Sequence, residues 1–231
     1  TGTNNVAVGH EALDSNTTAN NNTAVGSAAL GANTTGTLNT AVGSFALDAN
    51  TTGDSNTAVG QGALTVTSTA DNNTAIGHAA LHLCTTGNNN TAVGKDALRE
   101  NTTGTYNNAF GVDALDAAVT GSYNNAFGNN ALGANTTGHR NTSIGQDSLQ
   151  ANTTGAKNTA VGNSALAQST GTSNTAVGNN ALNANTGGND NVGVGRDVLT
   201  STTTGYDNTA IGGLAGGDAT GNNNVFLGYN S

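Results

Sequence analysis

Four histidines, one cysteine and fourteen acidic residues are this 231-residue chain's stock for acid–base, metal or nucleophilic chemistry. His78 and His82 stand four apart, a spacing that makes a metal pair only on a helix. With His10 and His139 isolated, all four read as solvated loop histidines. Glu11, Asp96, Asp113, Asp147 and Asp197 recur in one variable slot of a repeating pattern. Such a column could hold a cation, but the glycine-and-aspartate nonapeptide of calcium β-rolls is missing, so it reads as solubilising charge. Lys95 and Arg99 are placed to compensate Asp96 and Asp113. Cys84 cannot form an internal disulfide and reads as a tolerated thiol, a reactive or cross-linking thiol being the minority alternative. No serine, cysteine or lysine is accompanied by a plausible base and oxyanion donor, so neither an enzyme nor a cofactor or metal site is expected.

These residues sit on a pattern that must position them: N-T-A-V-G-x-x-A-L-x-x-N-T-T-G-x-x, repeated every 17 residues. The residue before the motif glycine falls at Val8, Val25, Val42, Val59, Ile76, Val93, Phe110, Phe127, Ile144, Val161, Val177, Val194, Ile211 and Leu227. All steps are 17 except two of 16, which predicts that each lost residue lies in a tolerant loop. A fixed period this short predicts a solenoid and one continuous array over 1–231, with atypical copies at 208–231.

Composition narrows the options. Apolar residues are 34% and aromatics 3%, too few for a thick core, yet disordered chains do not hold Val and Leu in strict register. A formal charge of -9 with scattered basic residues argues against nucleic acid. No apolar run approaches the ~20 residues of a membrane span, which argues against direct membrane insertion. The chain opens at Thr1 without methionine, so a fragment or a processed product is expected.

Seventeen residues suit one coil of a parallel β-solenoid, about 14 coils in all, in an all-β fold. Alternation along N-T-A-V-G puts Thr and Val on one face and Asn and Ala on the other. The Val face is expected inside, an expectation strengthened by Val6, Val192 and Val225 in the Thr slot. The core would then be Val25, Val42, Val59, Ile76, Val93, Phe110, Phe127 and Ile144, met from the facing side by Leu30, Leu47, Leu64, Leu81, Leu98, Leu115, Leu132 and Leu149. The N-T-T-G segment is expected to be the return turn, its Asn and Gly supplying positive backbone angles. Asn22, Asn39, Asn56, Asn73, Asn90, Asn107, Asn124, Asn141 and Asn158 are expected to stack as hydrogen-bonded ladders. The flat Ala/Gly/Ser face predicts close self-association.

The N-T-A-V-G-x-x-A-L motif resembles the N-S-V-A-I-G repeat in heads of trimeric autotransporter adhesins of the YadA-like group. Thr23, Ala24, Val25 and Gly26 fall on that family's Val, Ala, Ile and Gly. The 17-residue version with N-T-T-G also looks like repeats of viral and bacterial tail-fibre-like proteins. The resemblance covers essentially the whole chain. It implies a left-handed parallel β-roll packed as a homotrimer in an extracellular fibre at a cell or virion surface.

Function then reads as a structural rod or head segment serving attachment, with itself as partner and a surface glycan or protein as possible receptor. Two alternatives use specific residues. Tyr106 and Tyr123, in consecutive Y-N-N-A-F-G copies, could form an aromatic platform for a sugar. Ice binding would need flat Thr rows, but the Thr pairs of N-T-T-G are adjacent and point to opposite faces, and Thr40 and its equivalents are expected inside. The N-x-T sequons at Asn16 and Asn50 match glycosylation acceptors, although their period marks them as turn chemistry first.

Overall fold

The computed structural model describes residues 2–231. Its two compact units, Thr1–Thr120 and Gly121–Ser231, carry the same repeat. The first holds β1 (Val6–Val8), β2 (Thr23–Val25), β3 (Thr40–Val42), β4 (Thr57–Val59), β5 (Thr74–Ile76), β6 (Thr91–Val93) and β7 (Asn108–Phe110). The second holds β8 (Asn125–Phe127), β9 (Thr142–Ile144), β10 (Thr159–Val161), β11 (Thr175–Val177), β12 (Val192–Val194), β13 (Thr209–Ile211) and β14 (Val225–Leu227). Within each unit successive strands are parallel and in register, Thr23 beside Thr40 and Val25 beside Val42. The chain is a parallel β-solenoid, with one three-residue strand per repeat.

The orientation of that strand is the reverse of the expectation. Ala24, Ala41, Ala58, Ala75, Ala92, Ala109, Ala126 and Ala160 are fully buried, while the Thr slot is half-buried. Val25, Val42, Val59, Ile76, Phe110, Phe127 and Ile144 point outward and are 36% to 41% exposed, and Val93 is only half-buried. Val6 and Val225, cited as signs of a buried Thr slot, are exposed as well. The physical reason is width. A 17-residue coil encloses space for the two alanines and one leucine of each repeat, and the inward Asn must reach buried backbone groups that no apolar side chain could satisfy. The leucines are where the sequence placed them, Leu30 through Leu149 all fully buried.

Compensating substitutions confirm which slots face each other. Where Ser143 takes the strand Ala slot, Ser148 takes the second Ala slot; Ser143 Oγ donates to the Ser148 carbonyl at 2.8 Å and Ser148 Oγ to the Gly145 carbonyl at 2.8 Å. Where Val198 enlarges the second slot, Gly193 empties the first, and a Cβ there would stand 3.0 Å from Val198 Cγ1. Where Gly216 replaces the leucine, Phe226 replaces the next strand alanine, and a Cβ on Gly216 would lie 2.8 Å from that ring.

Turn chemistry also differs from the expectation. The N-T-T-G glycine and asparagine do not have positive φ; Gly36 is required because a Cβ would stand 2.4 Å from the Gly53 carbonyl oxygen of the next coil. Positive φ falls instead on the motif glycine (Gly26, φ 139), the second residue after it (Ala28, φ 55), the leucine (Leu30, φ 51) and the residue before the motif Asn (Leu38, φ 60). Each non-glycine residue there costs about 1–2 kcal/mol, sustained by the coil-to-coil hydrogen bonds on either side. Both 16-residue steps shorten N-T-T-G to S-T-G or A-T-G, removing one of its two threonines in a return turn whose second threonine is exposed.

Ala58→Val should cost about 1–3 kcal/mol by overpacking and Leu64→Ala about 2–5 kcal/mol, both read by urea unfolding. Gly216→Leu should destabilise alone and be rescued when combined with Phe226→Ala; failure of the rescue would remove the proposed size exchange.

Candidate interaction surface

Two asparagine columns hold the coils together and decide what remains outside. Asn39 donates twice and accepts once: its backbone N–H donates to Asn22 Oδ1 at 2.9 Å and its Nδ2 to the Gly53 carbonyl at 2.7 Å, while its Oδ1 accepts from the Asn56 N–H at 2.8 Å. The same pattern runs through Asn56, Asn73 and Asn90, and Asn107 donates its N–H to Asn90 Oδ1. In the second unit Asn124, Asn141 and Asn158 continue it, with Asn141 Nδ2 also donating to Asn124 Oδ1 at 3.2 Å. The expected ladder is present, built mainly from side chain to backbone.

The N-T-T-G asparagines form the second column. Asn50 Nδ2 donates to Asn33 Oδ1 at 2.9 Å and to the Gly53 carbonyl at 3.0 Å. Where the next slot lacks an amide the column stops: Thr67 follows Asn50, Ala118 follows Asn101 and Ser169 follows Asn152. Asn50, Asn101 and Asn152 each bury an Oδ1 without a donor, as does Asn16 although Asn33 follows it. Asn33, Asn50, Asn101, Asn135 and Asn152 are fully buried, so these N-x-T sequons are closed to glycosylation in the folded chain.

Cys84 occupies the same column, fully buried, its thiol donating to the Gly87 carbonyl at 3.2 Å while Thr67 Oγ1 donates to the Cys84 carbonyl. Burial pushes the thiol up. A thiolate is therefore disfavoured, which removes the reactive-thiol reading.

The charged residues lie on the outside. Asp96, Asp113, Asp147, Asp197 and Glu11 share the left-handed slot after the motif glycine, with φ between 53 and 57. Asp and Asn tolerate that region, so backbone geometry accounts for the recurrence, and Asn130, Asn180 and Gly62 use the same slot. Lys95 pairs with Asp96 at 2.8 Å and Arg99 with Asp116 and Glu100 at 3.1 Å. The hydrogen bond to Asp96 raises the Lys95 pKa. Asp113 forms no salt bridge with either base among the described residues, but its charge also raises the Lys95 pKa. Near the N-terminal end, Glu11, Asp14 and Asp48 line a shallow depression of about 260 Å³, where burial first and the Glu11 charge second push Asp48 up. His10 and His78 are exposed, His82 Nδ1 lies 3.0 Å from the Gly62 carbonyl, and His139 is exposed. Among the described residues no three His, Cys, Asp or Glu side chains are grouped to hold a metal ion.

Two features remain as candidate surfaces. One is the outward row of Thr and Val, Ile or Phe on the strands of each unit. The other is the slot before the motif Asn, where Tyr106 in the first unit and Tyr123 in the second are each about half exposed. Arg140 lies over the Tyr123 ring with its guanidinium carbon 6.0 Å from the centroid, a contact the sequence pattern gave no sign of. No family model, curated protein or solved structure matches the chain. No helix is long and apolar enough to cross a membrane.

Ser169→Asn should supply the missing donor to Asn152 Oδ1 and stabilise the second unit by about 1 kcal/mol, measured by thermal unfolding. The Cys84 thiol contributes stability that is full below its ordinary value near 9.0 and declines as pH rises above it, because only the unfolded chain ionises there freely. Cys84→Ala should flatten that alkaline loss, and a thiol reagent at pH 8 should label the chain only in denaturant.

Proposed function

We propose that this chain is a structural segment of a homotrimeric extracellular fibre serving surface attachment, and that its copies assemble through the Thr/Val face. The observation that carries this reading is the in-register outward row on each unit, such as Val25, Val42, Val59 and Ile76 on β2 to β5. Large apolar side chains in register on a parallel sheet leave apolar area in water that a second copy would cover. Each strand is only three residues long, and narrow faces can meet around a common axis. Self-association through the alanine face is ruled out, since those alanines fill the coil interior. The resemblance to trimeric adhesin heads supports the stoichiometry and the left-handed coil.

The same geometry favours one second reading. Thr and Val alternate as T-x-V with both side chains outward, so the objection that the strand threonines are interior falls, and a regularly spaced face of this kind suits ice.

Light scattering should give about three times the 22.4 kDa chain mass. Val42→Asp with Val59→Asp should reduce it to one chain while leaving the coil folded by circular dichroism. A wild-type monomer that produces thermal hysteresis would replace the fibre with the ice-binding reading.

A further inference from the structure

The chain has five basic side chains, and three of them are spent on carboxylates: Lys95, Arg99 and Arg196, the last paired with Asp197 at 2.9 Å. Among the described residues Arg140 and Lys157 form no salt bridge, and both are exposed. They occupy the same slot in successive coils of the second unit, directly after Tyr123, with φ of 62, 59 and 60 along the three. The slot is held in stack by the backbone: the Arg140 N–H donates to the Ser122 carbonyl at 3.1 Å and the Lys157 N–H to the His139 carbonyl at 3.0 Å. Strand spacing sets the two cations about 4.8 Å apart at their backbones. Exposed His139 flanks Arg140.

Carboxylates keep clear of this strip. Asp147, in the intervening repeat, sits in the slot after the motif glycine and accepts from Asn130 Nδ2 at 2.9 Å and Gln146 Nε2 at 3.1 Å. The next acid in the column is Asp190, two coils beyond Lys157. A chain of net charge -9 thus keeps its two unpaired cations together, beside an exposed aromatic ring.

We propose that Tyr123, Arg140 and Lys157 form a docking strip for a saccharide carrying a single carboxylate or sulfate. The anionic group sits between the guanidinium and the ammonium, and the apolar face of a sugar ring lies on Tyr123. Arg140 is pre-oriented by its contact with the ring, which lowers the cost of ordering it. A densely charged polyanion such as nucleic acid is disfavoured, because the acidic surface around the strip repels every phosphate beyond the first few. The inference deepens the attachment reading and rests on it for its biological sense, but the strip itself is complete within one chain.

Binding of the full chain to three acidic oligosaccharides, ending in sialate, glucuronate or a sulfated hexose, is compared by calorimetry with their neutral counterparts. The expected result is a preference for at least one acidic probe that weakens with added salt. Arg140→Gln and Lys157→Gln should each reduce that affinity on the order of tenfold, the loss of one charge-assisted hydrogen bond. Tyr123→Ala should weaken both the acidic probe and its neutral form, and Lys95→Ala should change nothing. Equal binding of acidic and neutral probes, no binding of any acidic probe, or an unchanged preference in both glutamine variants would overturn the strip. Light scattering on the same samples separates the two readings. A monomer with the preference keeps the strip and removes the trimer, and a trimer without it does the opposite.

Discussion

Everything in this molecule follows from one close approach, the stacking of each coil on the next at a single strand spacing. Backbone N–H groups of one coil find carbonyls of its neighbours along most of the repeat, as when Thr40 donates to Asn56, Leu47 to Ala63 and Thr51 to Ser68. That contact excludes side chains where the backbones meet, which is why a Cβ on Gly60 would stand 2.3 Å from the Gly77 carbonyl oxygen. It also forces a left-handed backbone on ordinary residues such as Leu64 and Ser55, a strain the stacked hydrogen bonds sustain.

A coil this tight leaves an interior for small groups only. Ala58, Ala63 and Leu64 are all fully buried, and the remaining inward positions go to asparagines that satisfy neighbouring coils. Side-chain volume is therefore exchanged locally: Gly193 with Val198, Gly216 with Phe226, and the Ser143 and Ser148 pair. Apolar residues too large for that space are displaced outward, and this displacement leaves a row of apolar side chains in water. The outward Thr/Val row is thus a consequence of a thin core.

The charged side chains are passengers on the same geometry. Asp96, Asp113 and Asp147 recur because their slot is left-handed, and their column implies no cation. Arg140 and Lys157 stand apart because stacking brings consecutive repeats side by side in a slot whose next acid is Asp190, next to Tyr123. A one-dimensional array turns residues 17 apart in sequence into neighbours, so a surface feature needs only two or three substitutions in one slot.

The repeat alone determined the solenoid, the parallel in-register stacking, the buried leucines, the asparagine ladder and the loop position of the two short steps. A period of 17 admits few other folds, and Asn at a fixed slot has little else to bond. Which side of N-T-A-V-G faces inward was decided by the tertiary structure. Alternation divides the strand into two sets without saying which is inside, and hydrophobicity pointed to Val25 when the enclosed width admitted only Ala24. The paired changes at Ser143 and Ser148, and at Gly193 and Val198, were the signal in the sequence that could have settled it. The Tyr123–Arg140 contact was beyond any pattern, because it depends on where two exposed side chains of adjacent coils come to rest.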